Sequence, residues 1–372
     1  MKLAFFDTNN DGHHWFYNSE LMINLAKQQS LEIIYITREI TKEQVLVLKR
    51  NDIEVIKLDE GNNSKLLTKN FFQQFRFLKD YHKAHNIVKK KKIDLFINLY
   101  FDRYIIQYFL INKKIKTINV LHWVPNNKIK IKILSYFNNK RDIFVVHTGD
   151  AKHKLNKINE KIEVTELSYP VKNHSGYNKL STLSLGIDNL KGKSLLYFGG
   201  TRYDKGLDIL LQALRLVESN INIFIVGKED TFDKKFIENE ILDIRPNIKV
   251  ITKLDYIPEE EVLQYFDRTD GVILPYRAFF NGESGVLTDA LQMGKPVIVP
   301  DIIHFPKIIN QYKNGIIYKV ENVEELAKAI DILATNYDQY YLNAKRASVE
   351  IINNRSSSNF AAKFYDIINL VK

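Results

Sequence analysis

Short apolar runs rich in β-branched and aromatic side chains recur along the chain, separated by longer stretches whose apolar positions repeat with a helical period. Alternation of this kind belongs to parallel sheets, in which each strand is followed by a helical crossover. The pattern predicts strands near 2–7, 32–37, 53–57, 94–99, 117–121, 143–147 and 163–168, enough for one doubly wound lobe. Residues 171–193 have no clear period and are rich in Ser, Gly and Asn, the composition of a linker. A second series starts at 194–199 and continues at 220–227, 247–252, 271–275, 296–300 and 315–320, with helical patterns over 207–218, 232–243, 259–267, 284–293 and 322–334. Two further helices are expected at 337–354 and 357–371, with Asn336 and Ser356 as candidate caps. The expected organisation is a first α/β domain over 1–170, the linker, a second over 194–355, and a terminal helix, 356–372, that returns to the first domain.

Length agrees with that reading, because 372 residues exceed what one core usually serves and about two domains of 150 to 200 residues are the ordinary solution. With 45% hydrophobic and 26% charged residues, the composition supplies two cores and does not suggest disorder. The absence of cysteine excludes a disulfide framework and any thiolate metal site. The apolar run before Asp7 is only four residues long, too short for a signal-peptide core. Lys and Arg interrupt every window approaching the roughly 20 apolar residues of a spanning helix. A cytoplasmic protein, able to work at the inner face of the membrane, is the expectation.

Charge separates the two halves. Residues 1–180 hold 31 Lys and Arg against 18 Asp and Glu, whereas the remainder holds 23 against 26. Within 61–158 there are 21 basic and 5 acidic residues, including Lys89 to Lys92 and the alternating Lys128, Lys130 and Lys132. The first lobe is either a solvated lysine-rich face or a surface for an anionic partner such as a membrane, a lipid-linked phosphate or an acidic glycan. Nucleic acid ranks last, since no recognition motif accompanies the charge. Segment 69–92 mixes Phe71, Phe72, Phe75, Phe77, Leu78 and Tyr81 with cations, so it can lie on an anionic bilayer or bury its rings in the core.

Candidate chemistry concentrates in the second half. In YFGGTRYDKGLDILLQAL (Tyr197–Leu214) a strand runs into Gly199 and Gly200, then a loop with Arg202 and Lys205, then a helix. Glycines admit close backbone approach to a ligand, and a guanidinium with an ammonium beyond the carboxyl end of a parallel strand suits a diphosphate. In PYRAFFNGESGVLTDALQMGKPVIVPD (Pro275–Asp301) a helix starts near Ser284, so the amides of Ser284, Gly285 and Val286 favour phosphate. Asp289, about one turn further in, can accept from ribose hydroxyls or simply answer the helix dipole.

These two segments, with the intervening LDYIPEEEVLQYFDRTDGVILPY (Leu254–Tyr276), resemble retaining glycosyltransferases of family 4, and the whole chain can be laid on that pattern. The resemblance implies a GT-B fold: two Rossmann-like domains facing each other across a cleft, each a parallel sheet flanked by helices. It implies a nucleotide-sugar donor in the second domain, UDP- or GDP-linked, and a glycan, lipid-linked or protein-linked acceptor in the first. Arg202 and Lys205 should neutralise the diphosphate, Asp289 should hold the ribose, and Leu254 and Asp255 should lie near the base. No metal or other cofactor is required, because the cations take the metal's task. The family's two glutamates separated by seven residues are here Asn281 and Asp289, with Glu283 near enough to take over the first contact with the sugar. In the first domain, Gly12 and His13 of TNNDGHHWFYNSELMINLA should approach the donor sugar and His14 the acceptor. His122 of INVLHWVPNN should contact the sugar, and Trp123 should stack on sugar or acceptor. His147 and Thr148 should line the site at most. No third ligand accompanies the adjacent histidines, so they do not make a metal site.

The expected activity is transfer of a sugar with retention of configuration, in synthesis of cell-envelope polysaccharide or glycoconjugate. Two other readings use the same architecture: a catalytically silent subunit that recognises glycan and supports a partner transferase, favoured by Asn281, and a nucleotide-sugar epimerase.

Overall fold

In the computed structural model, which describes residues 1–58, 70–111, 115–137, 142–171, 190–280, 282 and 284–371, the chain divides into two units, Met1–Lys172 with Arg355–Lys372, and Asn173–Asn354. The first unit contains β1 (Lys2–Phe6), α1 (His13–Ala26), β2 (Glu32–Thr37), α2 (Lys42–Lys49), β3 (Ile53–Lys57), α3 (Asn70–Lys90), β4 (Leu95–Asn98), α4 (Phe101–Leu110), β5 (Lys116–Leu121), α5 (Lys128–Ser135), β6 (Asp142–Val146), α6 (Gly149–Ile158) and β7 (Glu163–Glu166). The second contains β8 (Lys193–Phe198), α7 (Leu207–Leu214), β9 (Ile221–Val226), α8 (Lys234–Ile241), β10 (Ile248–Lys253), α9 (Glu259–Arg268), β11 (Gly271–Ile273), α10 (Gly285–Gln292), β12 (Val297–Pro300), α11 (Phe305–Tyr312), β13 (Gly315–Tyr318), α12 (Val323–Thr335) and α13 (Tyr337–Arg355). The terminal helix α14 (Ser357–Leu370) belongs to the first unit. Most of the expected linker lies outside the described residues.

Both sheets are parallel throughout. The first has the order β3-β2-β1-β4-β5-β6-β7 and the second β10-β9-β8-β11-β12-β13. Each is doubly wound, with its strand order reversing between β1 and β4 or between β8 and β11, and ligands of such sheets bind outside the carboxyl ends at that reversal. Alternation along β1 shows how the sequence builds the layers: Leu3 and Phe5 enter one core, Ala4 and Phe6 the other, and all four are fully buried. The first core also takes Tyr17, Leu21 and Leu25 of α1 with Phe360, Phe364 and Ile368 of α14. The second takes Phe77 and Tyr81 of α3 with Tyr104 of α4, the Tyr81 and Tyr104 rings stacking 5.6 Å apart. Of the Phe and Tyr rings described in segment 69–92, therefore, only Phe75 is well exposed, because the helix spends its apolar stripe on the sheet.

Ser356 caps α14 by accepting from the Asn359 amide. Asn336, read as a cap of the following helix, instead closes α12 and donates its side-chain amide back to the Ile332 carbonyl oxygen, 3.2 Å away. Helix α11 was not anticipated from its short FPKIINQY pattern; a proline in its first turn starts it where the missing N–H costs nothing.

Candidate functional site

At the reversal of the second sheet, the chain leaves β8 through Gly199 and Gly200, passes Arg202, and makes one 3-10 turn, Tyr203–Lys205, before α7. Gly199 has φ +105°, and a Cβ there would overlap the Lys205 ammonium. Gly206 has φ +61°, and a Cβ would overlap the Pro275 carbonyl oxygen. The positive φ strains any side chain at either position, backbone blocks one at Gly206, and the turn is pressed against the chain leaving β11. Lys205 Nζ lies 3.4 Å from the Phe198 carbonyl oxygen and 5.7 Å from the centre of the Tyr276 ring. Burial, with the Arg202 charge beside it, brings this ammonium down to about 8. Arg202 is half exposed and holds Asp204 with Nε at 2.9 Å and Nη2 at 2.6 Å. Five N–H donors on a guanidinium leave it capacity for a second anion.

From the other side comes α10. The Ser284 hydroxyl caps it by accepting from the Leu287 amide at 3.2 Å, and lies 3.1 Å from the Tyr276 hydroxyl. The amides of Gly285 and Val286, in the first turn, have no acceptor inside the helix. Tyr276 is thus the shared neighbour of Lys205 and Ser284, and it joins the two segments at one end of one sheet. Gly200 packs beside the Lys228 carbonyl oxygen. Asp289 is half-buried in the second turn of α10. After β10, Leu254 packs against the core of the unit, while Asp255 is exposed and 2.8 Å from Lys253. Asn281, Glu283 and the His13 side chain lie outside what the structure describes.

Sequence reading missed Arg277. Only 8% exposed, its guanidinium meets Asp208 Oδ2 at 2.5 Å, donates through Nε to the Tyr203 carbonyl oxygen at 2.9 Å, and lies 3.9 Å from the centre of the Tyr203 ring. Its own amide donates to the Asp204 carbonyl oxygen. One side chain after β11 therefore fixes the 3-10 turn that carries Lys205. The only local signal was an arginine at the carboxyl end of a buried strand.

In the first unit, Gly12 precedes α1 and His14 sits one step inside it. His14 Nδ1 lies 2.6 Å from Asp7 and Nε2 3.1 Å from Arg103 Nη2, so its ring has no polar atom left for an acceptor. His14, Tyr100 and His122 stack as successive rings, 3.6 and 3.8 Å apart. His122 Nε2 donates to the Leu99 carbonyl oxygen at 3.0 Å, which leaves Nδ1 as an acceptor. Burial, with His147 and His14 nearby, lowers His122 well below the usual histidine range. Trp123 is 43% exposed beside it. The His147 ring lies 4.8 Å from that of His122. His147 is buried on the Leu167 carbonyl oxygen and brought down to about 4 by burial, while Thr148 caps α6. Among the described residues no cluster of metal ligands occurs, and no helix is long and apolar enough to cross a membrane.

Comparison with known proteins bears on the second unit first. Residues 187–348 match the family model described as glycosyl transferases group 1. An uncharacterized glycosyltransferase of Methanocaldococcus jannaschii is 24% identical over 170 residues, which are 45% of this chain and 42% of that protein, so the match spans less than half of the curated relative. Sucrose-phosphate synthase of Thermosynechococcus elongatus matches with a TM-score of 0.77 at 13% identity, covering 100% of this chain and 98% of that one. A glycosyltransferase of Rickettsia africae gives 0.72 at 18%, covering 100% and 98%. Anabaena HepE, solved in complex with UDP-glucose, gives 0.69 at 16%, covering 99% of each chain. The chain has the fold of GT-B glycosyltransferases, two Rossmann-like domains of parallel sheet flanked by helices, and its residues 187–348 match glycosyl transferases group 1.

Proposed function

We propose that the protein is a glycosyltransferase that takes a sugar from a UDP- or GDP-linked donor and transfers it, with retention of configuration, to a glycan or lipid-linked acceptor at the cytoplasmic face of the membrane. The observation that carries this reading is the convergence of Lys205, Arg202 and the start of α10 around Tyr276, at the carboxyl end of the second sheet's reversal. In this scheme Arg202, Lys205 and the amides of Gly285 and Val286 grip the donor diphosphate, Asp289 holds the ribose, and Leu254 and Asp255 flank the base. Asn281 and Glu283 serve the sugar, His122 accepts from a sugar hydroxyl through Nδ1, and Trp123 offers a stacking face. The support is electrostatic: negative charge grows on the diphosphate as the glycosidic bond to it breaks, and fixed cations and amides are already in place to stabilise it. Such a site needs no metal. Removing either cation should cost a few kcal/mol of barrier, about a hundredfold or more in rate.

A thermal-shift panel of UDP, GDP and their sugars tests the reading, because a ligand that binds the folded state raises apparent stability. One nucleotide series should shift the melting temperature, and Lys205→Met should abolish the shift. A folded sample indifferent to every member of the panel, or a Lys205→Met variant that responds like the parent, would refute it.

A further inference from the structure

The first unit has a cation of its own at the corresponding place. At the reversal between β1 and β4, Asp7 is fully buried and accepts from the Asn18 side chain at 3.0 Å and the Asn9 amide at 3.2 Å. Its Oδ2 also meets His14 Nδ1. The other His14 nitrogen faces Arg103 Nη2, and a guanidinium can only donate. Nε2 therefore holds the lone pair and Nδ1 the proton, so Asp7, His14 and Arg103 form one directed chain. Stacking of His14 on Tyr100 fixes the ring, and Arg103 lies 5.6 Å from the centre of the same Tyr100 ring. Arg103 is half-buried and makes no ion pair with a described carboxylate.

A second cation stands beside it. Lys130 of α5 donates to the Asp102 carbonyl oxygen, and both burial and the Arg103 charge lower its ammonium from the usual range. Burial pushes the Asp102 carboxyl up to about 6, against the pull of both cations, and its Oδ1 accepts from the His122 amide at 3.4 Å. Arg103 and Lys130 stand against Asp102 and, across His14, Asp7, so these four groups balance, with the exposed Trp123 near them at the end of the sheet. The positive field comes from the surrounding stretch 61–158, with 21 basic and 5 acidic residues.

We infer that Arg103, aimed by His14 and assisted by Lys130, forms a phosphate site at the carboxyl edge of the first sheet, and that the acceptor carries a phosphate group held there. The role given to the acceptor rests on the glycosyltransferase reading; the phosphate site does not. His14 is a positioning residue in this scheme, and Arg103 is the residue that touches the ligand.

The test uses the full chain with Lys205→Met, so that the diphosphate loop of the second unit is disabled. Inorganic phosphate, titrated calorimetrically at constant ionic strength against chloride, should still bind. Adding Arg103→Gln should weaken it about tenfold or more, as loss of a charged hydrogen bond does, while the melting temperature in chloride shows that the variant folds. His14→Phe keeps the ring on Tyr100 and the charge on Arg103 but removes the acceptor atom, and should weaken phosphate several-fold. Glucose 1-phosphate in solution and vesicles containing a polyprenyl phosphate then separate the two sources of the group, and Arg103-dependent binding of either supports the proposal. If Lys205→Met binds no phosphate, or binds it equally with and without Arg103→Gln, the proposal is overturned. Failure of the donor reading looks different: nucleotide binding would then be indifferent to Lys205→Met.

Discussion

Arg277→Met gives the sharpest test of how the second unit holds the loop of Arg202 and Lys205. The substitution keeps an unbranched apolar stem but deletes the guanidinium that meets Asp208, donates to the Tyr203 carbonyl oxygen and stacks on the Tyr203 ring. The Asp208 side chain is 20% exposed, and its Oδ1 already lacks a partner, so it would be left as a buried carboxylate with nothing opposite. Breaking one side of a buried ion pair costs about 3–5 kcal/mol, a large part of the roughly 5–15 kcal/mol that holds a domain together. For a unit of this size each kcal/mol shifts the midpoint by about 2–4 °C, so a fall on the order of 10 °C is expected. Calorimetry of the single variants and of Arg277→Met with Asp208→Leu measures the coupling. An apolar pair should recover most of the stability, because neither desolvated charge remains. Nucleotide affinity should stay low in the double variant, since the side chain that held the Tyr203 carbonyl oxygen is gone and only backbone contacts still tie the turn of Lys205 to the chain leaving β11. A single variant that loses less than about 1 kcal/mol, or a double variant no more stable than Arg277→Met, would refute the argument.

Three further outcomes follow from the same geometry. Because Lys205 is brought down to about 8 from an ordinary value of 10.5, it loses its charge as pH rises through that value, so diphosphate affinity should fall above about pH 8. Lys205→Arg should flatten the fall, and calorimetry in buffers of different ionisation enthalpy should show proton uptake on binding near pH 8. Gly199→Ala places a methyl where the Lys205 ammonium sits and forces φ +105° on a side chain, so both stability and nucleotide affinity should drop, and the affinity losses of Gly199→Ala and Lys205→Met should not add. His147, with its folded value near 4 against 6.5 when free, binds its proton more readily in the unfolded chain, so stability should fall as pH drops from 6.5 toward 4, by about 3 kcal/mol for this group. His122 acts in the same direction, whereas Asp102, raised to about 6, partly offsets both below that pH. Denaturation curves of the parent and His147→Gln at pH 7 and pH 4.5 measure the difference, and parallel curves would refute it.

Much of this molecule is written locally. The strands of both sheets fall within two residues of where short β-branched and aromatic runs place them, because a strand buried on both faces must be apolar along its length, and the crossover helices of the second sheet other than α11 show their own period. The loop of Gly199, Gly200, Arg202 and Lys205 is equally local: its glycines, its cations and its position after a strand lie in one stretch of ten residues. What the sequence could not supply was the identity of partners. Arg277 meets a carboxylate 69 residues away and Arg103 a histidine 89 residues away. With Asp7, the second pairing engages both ring nitrogens of His14, which no local pattern announces. Asn336 illustrates the same limit at short range, since its side chain can serve the helix behind it or the one ahead. A periodic pattern tells which face of an element is buried, but not which elements become neighbours. That is decided by the crossovers that set strand order, and they bring the ends of β1 and β4, and of β8 and β11, side by side only once each sheet has formed.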